Sequence, residues 1–142
     1  DAYFTGLGYR IERATPQQER VECKGDRCFH LGSKAHWVEY KSGIQTFYTG
    51  NVFLETISVD TQNKPGWVYT CRADAIVYAT LLNHKLLFFR PDTLRERIEG
   101  LKQRYPTLKT SKGQNIGYNT HGVIVPLAVA ETELTYKIIH LD

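Results

Sequence analysis

The sequence predicts an α/β domain, a mixed β-sheet with a few helices packed on it. Three observations lead there. Runs rich in β-branched and aromatic residues recur along the chain, separated by Gly, Pro, Asn and Ser turn signals. One later segment carries apolar residues at helical spacing. The 142 residues can bury a core as one unit, and no repeat, low-complexity tract or linker divides them.

Taken in order, residues 9–13 read as a short strand and Thr15-Pro16-Gln17-Gln18 as a turn or helix start. Residues 23–43 are the most informative. Two β-leaning runs flank Gly32-Ser33, a pair that suits a type II′ hairpin turn with glycine first. With those two as the loop, Leu31 faces Lys34, Phe29 faces His36 and Asp26 faces Glu39. Residues 52–59 form the next expected strand, and Asn63-Lys64-Pro65-Gly66 a turn. Residues 75–82 and 85–89 are almost wholly apolar, as strands buried on both faces are, although the first also suits a helix. Asp92 is the expected helix N-cap, followed by the stripe Leu94, Ile98, Leu101 and Tyr105, with Pro106 stopping the helix at about Tyr105. Gly100 inside it costs about 1 kcal/mol relative to Ala. Residues 123–125 and 136–139 look like late strands, with 127–134 helical between them.

An apolar share of 42 % and a charged share of 23 % exclude a disordered chain. The formal charge of +3 permits a polyanionic partner without demanding one. Three cysteines (Cys23, Cys28, Cys71), odd in number and irregular in spacing, argue against a disulfide framework and for a reducing cytoplasm. No apolar stretch reaches the roughly 18 residues that span a bilayer, and no signal pattern opens the chain. The expectation is a cytoplasmic protein without a membrane partner. The chain has no methionine and starts on Asp1, which reads as a piece of a longer protein with something upstream, such as a helix.

The hairpin is where chemistry enters. Directly opposed residues share a face, as do residues two apart, so Asp26, Glu39 and Lys41 fall together. Two carboxylates can hold Mg²⁺, which keeps several waters and takes phosphate oxygens directly. A lysine beside them can orient or deprotonate the water, or steady the charged transition state. That combination serves phosphodiester hydrolysis. An acid-x-Lys triplet alone is cheap, since about one is expected by chance at this composition. Of the two present, Glu22-Cys23-Lys24 and Glu39-Tyr40-Lys41, the second has an Asp on a probable partner strand and the first does not.

Gly25-Asp26, the short hairpin, Val38-Glu39-Tyr40-Lys41 and Thr49-Gly50-Asn51-Val52-Phe53-Leu54-Glu55 resemble the PD-(D/E)XK nuclease superfamily. The likeness is closer to a phage-associated and bacterial branch with Glu-x-Lys followed by Thr-Gly-Asn and Phe-x-Glu. Lys64-Pro65-Gly66, and Ala73-Asp74 ahead of a strand, belong to the same resemblance, which covers residues 20–90. It implies a restriction-endonuclease-like core with a central mixed β-sheet flanked by helices, Mg²⁺ or Mn²⁺ as cofactor, and DNA as substrate in a bacterial or phage-infected cell. By motif, Asp26 and Glu39 would bind metal, the Tyr40 carbonyl would complete the shell and Lys41 would activate water. The superfamily often adds an acid from its first helix. Glu12 and Glu19 are the available residues, unless that helix lies upstream of Asp1. It also contains members that keep the fold and do not cut, so the alternative is a non-catalytic DNA-binding or assembly module. Many nucleases that cut both strands are homodimers.

Glu55 shares a strand face with Phe53 and Ile57 and, if buried, needs a metal or a donor; it reads equally as a site member and as a structural acceptor. Lys24, Gln45, Thr49 and Trp67 are the candidate nucleic-acid contacts. Trp67, with Tyr69, could stack on a base, although core packing is the commoner fate of such rings and a polar loop the plainer account of Gln45, Thr46 and Thr49. Arg90, Arg95, Arg97, Lys102, Arg104, Lys109 and Lys112 could track phosphates, but a solvated helix face explains them nearly as well. Cys23, Cys28, His30 and His36 are spaced poorly for zinc, and the hairpin sends the two imidazoles to opposite sides. His121 has no nucleophile partner, and no Gly-rich phosphate cradle is present.

Overall fold

Strand pairing follows from the same alternation and turns. The structure is a computed structural model that describes residues 1–110 and 117–142, with the backbone alone at Ile44 and Phe47. Lys112, one of the basic residues considered above, lies outside the described residues. In chain order the elements are α1 (Ala2–Gly6), β1 (Arg10–Arg13), a π-helical turn (Gln17–Val21), β2 (Arg27–Leu31), β3 (Lys34–Ser42), α2 (Ile44–Thr49), β4 (Asn51–Val59) and β5 (Lys64–Pro65). There follow α3 (Trp67–Thr70), β6 (Ala75–Thr80), β7 (Lys85–Phe89), α4 (Pro91–Arg104), β8 (Thr107–Thr110), β9 (Thr120–Pro126), α5 (Leu127–Val129) and β10 (Thr135–His140). A second π-helical turn, Ala130–Leu134, joins the last two.

Six strands form a mixed sheet in the order β1-β2-β3-β6-β7-β10, with β3 and β6 parallel and the other neighbours antiparallel. The other four form an antiparallel sheet, β5-β4-β9-β8. The fold is thus mixed α/β with a mixed central sheet and flanking helices, but the single sheet expected from the sequence is corrected to two. Val52 and Leu54 of β4 pair with Val125 and Val123 of β9, and all four are fully buried in one core with Ile76, Tyr78, Leu87 and Phe89 of the six-stranded sheet. A second sheet packed over the first removes more apolar surface from water than further strands at an edge would. Leu94, Ile98 and Leu101 bring α4 into that core. A second apolar cluster, including Phe4, Phe29, Val38, Val77 and Phe88, covers the other face of the six-stranded sheet.

The hairpin has the register read from Gly32-Ser33: Leu31 pairs with Lys34, Phe29 with His36 and Arg27 with Val38. The helix of the second half starts earlier than expected. Arg90 is its N-cap and Pro91 its first residue, because proline's fixed φ suits that position, and Asp92 stands in the first turn beside Arg95. Residues 75–80 form a strand and not a helix, while α1, α2, α3 and β8 were not anticipated. No helix among the described residues is long and apolar enough to cross a membrane.

Candidate functional site

Gly25 sets the first acid. Its φ of +114° and its approach to β3, where a Cβ would stand 2.7 Å from the Val38 carbonyl oxygen, admit only glycine comfortably. The Asp26 N–H donates to that same carbonyl at 3.1 Å. Asp26 then turns its carboxylate onto β3, and both oxygens accept the Tyr40 N–H at 3.3 Å. On β3, Val38 and Tyr40 face the outer cluster with Phe29, so Glu39 and Lys41 face the opposite way. Lys41 Nζ lies 2.6 Å from Glu39 Oε1. The Asp26 carboxyl is pushed up to about 6, first by burial and then by the Glu39 charge, against the Tyr40 N–H and the positive charges of Arg27 and Lys41. Asp26, Glu39 and Lys41 therefore share one electrostatic neighbourhood, although Asp26 stands just ahead of β2, outside the β2–β3 ladder whose last pair is Arg27 with Val38.

Tyr40 contributes through its backbone, since its ring stacks among Phe4 and Phe29 on the far face. Glu55 comes from β4. Its Oε2 accepts the Trp67 N–H at 3.1 Å, and Gly66 leaves room for it: a Cβ there would lie 2.3 Å from the Glu55 carbonyl oxygen. Burial pushes the Glu55 carboxyl up, while Lys41 and Lys64 draw it down and Glu39 raises it. The acid thus has the donor its burial calls for, at the border of the trio.

Glu12 and Glu19 are not brought to the trio. Glu12 pairs with Arg10 and, at 3.3 Å, with His30, toward the hairpin turn and away from Asp26. Glu19 is exposed on the first π-helical turn. Lys24 pairs with Glu22 at 3.6 Å and lies over the Trp37 ring. His36 is exposed on β3 and His30 Nε2 lies 3.3 Å from Glu12 Oε2; among the described residues Cys23, Cys28, His30 and His36 do not gather as a metal-binding group. Arg95 reaches the Cys71 carbonyl at 2.6 Å, Arg104 pairs with Glu133 at 2.8 Å, and Lys102 engages Glu99 and Tyr69. These cations of α4 are committed within the fold. The Tyr69 hydroxyl donates to Glu99 at 2.9 Å, and its ring packs, partly buried, against the core.

Beside Lys41 opens a cavity of about 590 Å³, and Gln45, Thr49 and Trp67 line it, three of the four residues expected at nucleic acid. Lys41 Nζ sits 5.7 Å from the Trp67 ring centre. The Thr49-Gly50-Asn51 run has a structural basis: Gly50, in the left-handed region at φ +72°, ends α2, and Thr49 Oγ1 accepts the Asn51 N–H at 3.2 Å. Asn51, Phe53 and Tyr78 also line the cavity, and these the sequence did not reveal as site residues. Tyr78 sat in an apolar run that read as pure core. Gly43 makes room for its ring, since a Cβ there would lie 2.4 Å from the Tyr78 hydroxyl, a proximity that no sequence pattern announces.

Among the described residues, no three of His, Cys, Asp and Glu gather as a metal cluster. The donor set nonetheless fits Mg²⁺, which is typically held by one or two carboxylates plus substrate phosphates. The Asp26 carboxyl is raised first by burial and then by the Glu39 charge, and a cation between the two would offset the second of these. Comparison of the chain with protein-family models, with curated proteins and with solved structures finds no match.

Proposed function

We propose that this chain is a Mg²⁺-dependent (or Mn²⁺-dependent) DNA endonuclease-like protein with a restriction-endonuclease-like core, hydrolysing phosphodiesters with an activated water. The observation that carries the reading is the meeting of Asp26 from the first arm of a hairpin with Glu39 and Lys41 from the second. Asp26 and Glu39, with the Tyr40 carbonyl, would hold the cation. When bound, it supplies Lewis-acid stabilisation of the phosphate and a more acidic water. Lys41 orients that water and offsets negative charge as it develops on the phosphoryl oxygens. The Tyr40 N–H keeps the Asp26 carboxylate aimed at the site. Trp67, Gln45 and Thr49, which line the cavity beside Lys41, would contact the bound strand.

The test is incubation with supercoiled, linear, single-stranded and branched DNA, with Mg²⁺, Mn²⁺ or EDTA. Cleavage should require the metal and fall by about 100-fold or more in Glu39→Gln and in Lys41→Ala. Cleavage that survives both substitutions overturns the assignment.

One observation favours the second reading, a non-catalytic DNA-binding or assembly module. Lys41 already neutralises Glu39 at 2.6 Å, as a structural ion pair would. DNA binding that is indifferent to EDTA, with no cutting of any substrate, would select that reading.

A further inference from the structure

The cavity beside Lys41 is larger than positioning a water or a phosphate requires. At about 590 Å³ it falls within the roughly 300–1,000 Å³ of small-ligand sites. Its lining includes the aromatic residues Trp67 and Phe53 and the amide residues Asn51 and Gln45, with Tyr78, almost fully buried, and Thr49, whose hydroxyl is bonded to its own helix end, behind them. Flat apolar faces with a few amide and hydroxyl groups at the edge are what a heterocyclic base needs, stacking on the rings and pairing its edge with the amides. The walls are braced. The Phe53 ring lies over Gly122, where a Cβ would stand 2.4 Å from it, and the Tyr78 hydroxyl accepts the Phe53 N–H at 3.4 Å.

The cavity adjoins the trio through Lys41. Lys41 is at once a wall of the cavity and the partner of Glu39, and Trp67 gives its ring to the cavity and its N–H to Glu55. A base seated there would have its backbone on the Lys41 side of the cavity, the side shared with Glu39. A base stacked and paired in a duplex has neither its faces nor its pairing edge free, so it must leave the helix to enter.

We propose that the cavity takes one unstacked base of the strand to be cut, so that the protein acts on single-stranded or frayed DNA in preference to intact duplex. The substrate class rests on the nuclease reading; the base pocket does not. Both are tested in EDTA, where nothing is cut, with a short single strand carrying 2-aminopurine and with the same sequence as a blunt duplex. The single strand should bind at least about tenfold more tightly, with the 2-aminopurine fluorescence quenched by stacking. Trp67→Leu should lose the quench and about tenfold in single-strand affinity.

Trp67 also packs against the core, so a second variant keeps the test clean. Leu108 lines the cavity and is 50 % exposed, and Leu108→Glu should weaken single-strand binding with an unchanged circular dichroism spectrum. Equal or tighter binding of duplex, or a Leu108→Glu variant that binds the single strand as well as wild type, overturns the proposal. Added Mg²⁺ separates it from the nuclease reading. Quenching and single-strand preference without cutting support the pocket and sink the nuclease. Metal-dependent cutting of duplex with no single-strand preference does the reverse.

Discussion

Asp26 carries the clearest consequence at the scale of a single residue. Its carboxyl sits at about 6 in the fold against an ordinary 3.8, first because it is buried and then because Glu39 stands near. The folded chain therefore holds this proton where the unfolded chain has released it. Stability from this group is complete below about pH 4 and is lost as pH rises through about 6. Each tenfold gain in proton affinity corresponds to about 1.4 kcal/mol, but the group retains contact with water, so screening reduces the cost at neutral pH to about 1–2 kcal/mol. Without divalent metal, Asp26→Asn should be more stable than wild type at pH 7 by about that amount, and the gain should vanish at pH 4. Urea unfolding at the two pH values measures it, and equal midpoints at pH 7 would refute it. This residue was legible in the sequence because a two-residue Gly-Ser turn fixes which positions oppose each other. Glu55 was half legible: its burial needed a donor, but that the donor is the Trp67 N–H depends on a turn between distant strands.

Among the elements, the hairpin and the second sheet make separate claims. Gly25 is the hinge of the hairpin entry, with a positive φ and no space for a Cβ against Val38. Gly25→Ala should cost about 1–3 kcal/mol and displace Asp26, lowering the melting temperature and, on the proposed nuclease reading, metal-dependent cleavage. Cleavage retained at the wild-type level would show that Asp26 does not need this entry. In the second sheet, Asp60 ties the end of β4 to β9. It accepts the Asn119 N–H at 3.0 Å and meets His121 Nε2 at 3.1 Å, and those two, in that order, hold its carboxyl below the usual range. A depressed carboxyl contributes stability that is present above its ordinary value and lost as pH falls through the lowered one. Asp60→Ala should therefore melt earlier than wild type at pH 7, with the two curves converging in strong acid. His121, for which the sequence offered no nucleophile partner, has a structural partner in Asp60, but that residue lies 61 positions away and no local pattern pointed to it. The same long range hid the second sheet: β4 and β9 each read correctly as strands, while the choice of sheet belongs to the packing of Val52, Leu54, Val123 and Val125 over the central strands. The segment of α2 read as polar loop because its ordering comes from its place between β3 and β4 and from the Gly50 cap, not from helical propensity.

For the molecule as a whole, the site and the fold are linked through the core that both sheets share. Glu39 and Lys41 stand on the same strand face as Trp37, which packs against that core, and the cavity beside them is walled by both sheets. A cation that joins Asp26 to Glu39 is therefore expected to stabilise the entire fold, since the unfolded chain has no such site. Ligand at about 100 times its Kd contributes about 2.7 kcal/mol by mass action. For a chain of this length that corresponds to a rise in melting temperature on the order of 10 °C. Calorimetry with saturating Mg²⁺ against EDTA should show the rise, and it should disappear in Glu39→Gln. Asp26→Asn should start higher in EDTA, because the buried charge beside Glu39 is gone, and gain little from the metal, because one carboxylate ligand is gone. A rise of equal size in wild type and both variants would mean that Mg²⁺ acts elsewhere on the surface. The hairpin carboxylates would then be an ion-paired face and not a metal centre.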